Sequence, residues 1–143
     1  FSWSKTVCAY AAKGGHLETI MWCRANGAPW DGTFDPMACN YAALEGHLQM
    51  LKWCRENGAL WNANTCTLLA VKGDLEMLKW CRENGAPWDV HTCSWAALAG
   101  HHKILQWLRE NGAPWDESTC ARAAENGHLQ VLQWCRENGA PWD

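Results

Sequence analysis

One short phrase recurs through the chain and constrains its fold more than any other feature. Its fullest copies read Glu-Asn-Gly-Ala-Pro-Trp-Asp, and the glycines of its five copies are residues 27, 58, 85, 112 and 139. The steps between them are 31, 27, 27 and 27 residues. A second phrase, Gly-His-Leu or a variant, begins at residues 15, 46, 73, 100 and 127 and follows the same period. Self-similarity at a period of about 20–50 residues is typical of stacked repeats, in which each unit contacts mainly its neighbours.

The last repeat predicts two helices joined by a glycine turn. Glu117–Glu125 holds strong helix formers and no breaker, and its small residues share one face. Asp116 is the expected N-cap, although Thr119 is an alternative that would shorten this helix, helix A, by about one turn. Helix B is expected from about 128 to 138, and Pro141 prevents it from resuming. Each unit is therefore a helical hairpin followed by a short loop.

The spacing divides the chain into five such units in one array covering residues 1–143. Their predicted limits are about 4–31, 32–62, 63–89, 90–116 and 117–143. The single insertion, residues 32–38, lies between hairpins, where repeat proteins tolerate extra loop. Because the chain does not begin with methionine and stops where another unit would start, we expect it to be part of a longer chain.

Residues 119–132 resemble an ankyrin repeat. The threonine, the Ala-Ala pair, the Gly-His turn and the Leu/Val helix match that family, whereas its Pro-Leu-His after the threonine is absent. The closer likeness is to short tryptophan-rich ankyrin-like repeats, with Gly-His-Leu-x-x-Leu-x-Trp and Asn-Gly-x-Pro-Trp signatures, typical of protist, algal, oomycete and giant-virus proteins. The resemblance implies an all-α, right-handed ankyrin-like solenoid of five helix-turn-helix repeats of about 27 residues, with the β-hairpin fingers shortened or absent. It also implies binding to protein partners that vary from one such array to another.

Charge and motif content exclude several other functions. The net charge of -3 gives no electrostatic argument for nucleic acid, and no run of 18 apolar residues exists to span a bilayer. We find no nucleophile–base set, no phosphate-binding glycine loop and no paired-carboxylate motif. The sequence therefore predicts a non-enzyme without a cofactor or a small-molecule substrate.

The cysteines follow the repeat and predict buried thiols. Nine are present. One row holds Cys8, Cys39, Cys66, Cys93 and Cys120, and a second holds Cys23, Cys54, Cys81 and Cys135, with Leu108 in its remaining place. Equivalent residues of stacked helices lie roughly 8–10 Å apart, beyond the ~7 Å limit for a disulfide. We therefore expect small buried hydrophobes, no bound metal, and an intracellular, reducing compartment rather than secretion.

Three further side chains recur in each unit. Tryptophan occurs on helix B and in the loop, and we expect these rings to seal the gaps between hairpins rather than to form a stacking surface, an ultraviolet absorber or an electron-hopping chain. Histidine at the hairpin turn is expected to bond the backbone of a neighbouring turn. Arginine near the end of helix B is expected to pair with a loop carboxylate rather than to read phosphates. The arginines are Arg24, Arg55, Arg82, Arg109 and Arg136, and the carboxylates are Asp31, Asp89, Asp116 and Asp143, with Asn62 in one unit.

Residues that vary between units are the candidates for binding, because the repeated ones are committed to packing. One position on helix A holds four different residue types across the five units. We call the five residues at this place the helix-A positions: Tyr10, Tyr41, Leu68, Trp95 and Arg122. Phe34, in the 32–38 insertion, is the second candidate. Tyrosine, tryptophan and arginine are the residues most often found as interface hot spots.

These residues predict a non-catalytic scaffold that binds a protein partner. The alternative is a permanent structural or linker subunit of a large multi-protein complex. A third hypothesis is a thiol redox or metal-binding module, which the two cysteine rows raise.

Overall fold

A computed structural model describes residues 2–4, 6–30 and 37–142. The predicted contact residue Phe34, and residues 32–36 of the insertion, lie outside this part of the chain. The described part is all helical, with no strand. Its helices are α1 (Val7–Lys13), α2 (Leu17–Ala25), α3 (Met37–Leu44), α4 (Leu48–Glu56), α5 (Ala63–Lys72), α6 (Leu75–Glu83), α7 (Val90–Ala99), α8 (His102–Glu110), α9 (Glu117–Glu125) and α10 (Leu129–Glu137). The predicted all-α, ankyrin-like class is therefore confirmed.

The chain forms two compact units, residues 1–65 and 66–143. In the first, α1 packs against α2 and α3, and α3 packs against α4. In the second, α7 packs against α8 and α9, and α9 packs against α10. Helix A of one hairpin therefore contacts both its own helix B and the helix A of an adjacent hairpin. The five repeat limits and the single array stay predictions.

An aspartate before helix A begins two of these helices. The Asp89 carboxylate accepts a hydrogen bond from His91 N at 2.9 Å, and Thr92 Oγ1 accepts one from Asp89 N, which completes a capping box. The Asp116 carboxylate accepts from Ser118 N at 2.9 Å, so Asp116 caps α9 as expected.

The Asn-Gly-Ala phrase ends helix B. Gly112 adopts φ +85, and Ala113 N then donates to Leu108 O at 2.9 Å. This arrangement is a Schellman motif, which requires the left-handed conformation that glycine adopts without strain. The Asn111 side chain also donates to Trp107 O at 2.8 Å. The loop that follows each helix B is thereby held against the helix end.

Small side chains form the core along helix A. Cys93, Ala96 and Ala97 are fully buried on α7, and Leu105 and Leu108 are fully buried on α8. Alanine and cysteine let the helices approach closely, while the leucines supply most of the apolar area. No helix in the described part of the chain is both long and apolar enough to span a bilayer.

Candidate functional site

The two helix-A positions in the first compact unit, residues 1–65, differ in exposure. Tyr10 on α1 is 67% exposed. Tyr41 on α3 is half-buried, and the Lys13 ammonium lies 5.2 Å from the centre of its ring. A lysine at this distance is attracted by the negative face of the ring. The structure therefore leaves Tyr10 open and covers Tyr41 in part.

In the second compact unit, residues 66–143, the structure brings two of the candidate residues together. Trp95 on α7 is 37% exposed, and the Arg122 guanidinium on α9 lies 5.4 Å from the centre of its ring. Arg122 also forms a 2.9 Å ion pair with Glu125. Leu68 on α5 is half-buried. Trp95 and Arg122 thus present an aromatic face and a cation side by side on two adjacent helices.

The predicted pairing of the helix-B arginines with loop aspartates is wrong for Arg82 and Arg109. Each guanidinium instead donates to the alanine carbonyl four residues later, at 2.6 Å from Arg82 to Ala86 O and 2.5 Å from Arg109 to Ala113 O. The physical reason is that the alanine carbonyl after the Schellman turn lies within hydrogen-bond reach of the guanidinium. The aspartate carboxylates are instead used to cap the next helix A. The arginines therefore hold the loop rather than neutralise an acid.

Each of four arginines also lies over the tryptophan six residues later in the chain. We call these the Trp–Arg pairs. The distances from guanidinium carbon to ring centre are 4.1 Å for Arg55–Trp61, 3.6 Å for Arg82–Trp88, 4.2 Å for Arg109–Trp115 and 3.3 Å for Arg136–Trp142. Both residues recur in the sequence, but their contact was not predicted from it. Their spacing of six residues is constant in these units, but it does not by itself indicate a contact, because the loop between them sets the distance.

The loop tryptophans also contact the helix-B tryptophan of the following hairpin. Trp88 lies 6.0 Å from Trp107, and Trp115 lies 5.9 Å from Trp134, with the rings at 74° and 64°. Edge-to-face contacts of this kind are favourable, and they link consecutive hairpins as predicted. However, none of the twelve tryptophans is buried. Most of the rings are half-buried, so they pack between hairpins while part of each ring stays at the surface.

The turn histidines connect successive hairpins, as expected. His101 Nε2 hydrogen-bonds to Val71 O at 2.9 Å, and His128 Nε2 hydrogen-bonds to Leu98 O at 3.0 Å. Asp74 stands where the other units have histidine, and its carboxylate accepts from Met77 N within its own helix at 3.0 Å. His101 and His128 therefore hold successive hairpins together through hydrogen bonds to the backbone.

All nine cysteines are buried, as the spacing predicted. Burial raises the pKa of the Cys66 and Cys93 thiols to about 12. The Cys54 side chain hydrogen-bonds to Cys39 and holds the pKa of Cys39 below its ordinary value, while the same bond raises the pKa of Cys54. Across the described residues, no three His, Cys, Asp or Glu side chains converge to hold a metal ion.

Comparison with known proteins supports the architecture. Residues 8–53 match the family model described as ankyrin repeats (many copies), which confirms the predicted resemblance to the ankyrin family. The match covers α2 and α3 and most of α1 and α4. No curated protein matches the sequence. Ankyrin repeats generally mediate protein–protein interactions and are generally non-catalytic, and they bind protein partners.

Proposed function

We propose that the chain is a non-catalytic scaffold that binds a protein partner through the helix-A positions. The observation that carries this proposal is the pair formed by Trp95 and the Arg122 guanidinium, 5.4 Å from the ring. Tyr10, Tyr41, Leu68 and Phe34 of the 32–38 insertion are the other proposed contacts. The nine thiols favour a reducing compartment inside the cell.

The surroundings of Trp95 indicate that packing does not require a large side chain there. Cys93, Ala96 and Ala97 on the same helix are small and fully buried, whereas Trp95 is 37% exposed. The equivalent position holds a leucine in one unit and an arginine in another. Large aromatic and arginine side chains at such places dominate binding energy when a partner covers them.

The test is the affinity of purified variants for a partner that has been isolated with the intact chain and identified. Trp95→Ala is expected to weaken binding by about 30-fold, the effect of a hot spot of about 2 kcal/mol. The melting temperature should change little, because the ring is only partly covered by the chain itself. His91→Ala, an exposed change on the same helix, is the matched control and should bind normally. A large loss of stability with unchanged affinity would contradict the proposal.

A permanent structural subunit of a large complex is the second candidate. Large apolar side chains exposed on helix B favour it: Trp22 is 60% exposed and Leu129 is 63% exposed. Co-purification with other subunits in fixed stoichiometry through high salt would support this role over that of a transient scaffold. Dissociation of every partner in salt would support the scaffold.

A further inference from the structure

Two equivalent clefts open beside the Trp–Arg pairs in residues 66–143. The first has a volume of about 290 Å³ and is lined by Lys79, Arg82, Glu83, Trp88, Trp107 and Asn111. The second has a volume of about 430 Å³ and is lined by Gln106, Arg109, Glu110, Trp115, Trp134 and Asn138. Every residue of the second cleft stands 27 positions after its counterpart in the first. The repeat therefore copies a surface cleft as well as a helical hairpin.

Two of the six residues that line each cleft are tryptophans, and their indoles are set at a steep angle to each other. In the second cleft, Trp115 and Trp134 meet at 64° with their centres 5.9 Å apart, and the first cleft repeats this with 74° and 6.0 Å. The Arg109 guanidinium lies over the Trp115 ring. All four of these rings are half-buried. The result is an angled aromatic slot with a guanidinium at its side.

We propose that these two clefts dock a proline-rich segment of a partner protein in the polyproline II conformation. Such segments bind grooves lined by aromatic side chains, because the preformed helix loses little entropy on binding. One turn of this helix is three residues and about 9 Å long. Stacked helices lie about 8–10 Å apart. A proline at every third residue therefore meets one cleft after another.

Polar groups in the clefts match this ligand. A polyproline II backbone makes no internal hydrogen bonds, so its carbonyls need donors. Within the described chain, the indole N–H groups of Trp107 and Trp134 donate to no other group. Arg109 donates through Nη1 to Ala113 O. The second cleft carries one arginine and one glutamate, Glu110, which balance in charge. A proline-rich segment without charged residues suits the second cleft, and the first cleft, with Lys79 and Arg82 against Glu83, carries one excess positive charge.

The geometry favours a peptide over a sugar, the other ligand class that binds exposed tryptophans. A sugar ring stacks on a flat, uncovered aromatic face. In both clefts one indole carries an arginine on its face, at 3.6 Å for Trp88 and 4.2 Å for Trp115. Because the two indoles touch edge to face, the open space lies beside them, against the uncovered part of the rings and the polar side chains, and a compact pyrrolidine ring suits such a place better than a flat sugar ring.

This docking surface shares no residue with the helix-A positions, so it can be tested separately from the proposed function. The probe is a synthetic peptide of about twelve residues with the repeat Pro-Ala-Pro, long enough to span two turns or more. Binding is followed by the side-chain indole N–H signals in nuclear magnetic resonance spectra. We expect the Trp107 and Trp134 signals to shift, and a Gly-Ser-Ala peptide of equal length to leave them unchanged.

Three variants decide the result. Trp134→Ala should weaken binding of the Pro-Ala-Pro peptide at least about tenfold, and Glu110→Phe, which fills the second cleft without removing an indole, should do the same. Trp95→Ala is the matched control and should bind within about twofold of the unaltered chain. Equal binding of both peptides, equal binding by all variants, or shifts caused only by a glucose oligosaccharide would overturn the proposal. Loss of partner binding in Trp95→Ala alone would concern the proposed function and not this surface.

Discussion

The two turns of the α7–α8 hairpin place glycine in the same backbone conformation but in different surroundings. Gly100, between α7 and α8, has φ +76, and Gly112, after α8, has φ +85. A Cβ on Gly100 would lie 2.7 Å from the His128 ring, whereas a Cβ on Gly112 would meet nothing within 4 Å. We call the first the crowded turn and the second the open turn.

The comparison shows that glycine is required at the two turns for reasons that are only partly the same. Both turns need a positive φ, which side chains other than glycine rarely adopt. Only the crowded turn also needs the missing Cβ, because the histidine of the next hairpin occupies that space. The crowded turn therefore packs directly against the histidine of the next hairpin, whereas the open turn has no such contact and its loop meets the next hairpin through Trp115.

The largest expected effect comes from adding one methyl group to each turn. Gly112→Ala should lower the free energy of unfolding by about 1–2 kcal/mol, the cost of a left-handed alanine. Gly100→Ala should add an overpacking cost of about 1–3 kcal/mol, because the methyl group meets the His128 ring. Urea unfolding of the two variants measures both losses. Equal losses would show that the two turns do not differ.

A smaller effect is expected when the histidine that packs against the crowded turn is removed. His128→Ala removes the hydrogen bond to Leu98 O and should cost about 1–2 kcal/mol. In the double variant with Gly100→Ala the costs should not add, because the new methyl group then enters the space that the ring has left. Calorimetry on the single and double variants checks this. Simple additivity would mean that the ring does not crowd Gly100.

The sequence predicted the parts of the fold that depend on local chemistry. The limits of α9, its Asp116 cap and the inter-hairpin histidine bonds follow from capping preferences and from the repeat period. The contact between Arg109 and Trp115 did not follow, because it depends on the path of the loop between them. Nor did the sequence distinguish the crowded turn from the open one, since both show the same glycine.

The candidate binding residues were predicted less completely than the helices. Variation between units selects the helix-A positions, but a single sequence does not give their exposure. Tyr10 and Tyr41 are the same residue type at equivalent positions, yet Lys13 lies over the Tyr41 ring and Tyr10 stays open. Such differences arise from the neighbouring hairpin, which the period brings close but whose side-chain directions it does not fix.

The open turn should respond more weakly than the crowded turn when its own contact is removed. Arg109→Met keeps the aliphatic stem but removes the guanidinium from the Trp115 ring and from Ala113 O. The expected loss is about 1 kcal/mol, because both contacts are partly solvated. Urea unfolding, with Lys103→Met on the exposed start of α8 as the control, measures it. A loss of unfolding free energy larger than that for Gly100→Ala would show that the open turn contributes more stability than the crowded turn.

The smallest effect tests whether the crowded turn depends on one bond or two. Asn126 Nδ2 donates to Leu98 O at 2.9 Å, and this is the carbonyl that also accepts from His128 Nε2. Asn126→Ala alone should therefore cost no more than about 0.5 kcal/mol, since the amide is exposed and the acceptor keeps a second donor. Combined with His128→Ala it should cost more than the sum of the single changes, because Leu98 O then loses both donors. A cost for Asn126→Ala as large as that for His128→Ala would assign the joining of these hairpins to the asparagine and not to the repeated histidine.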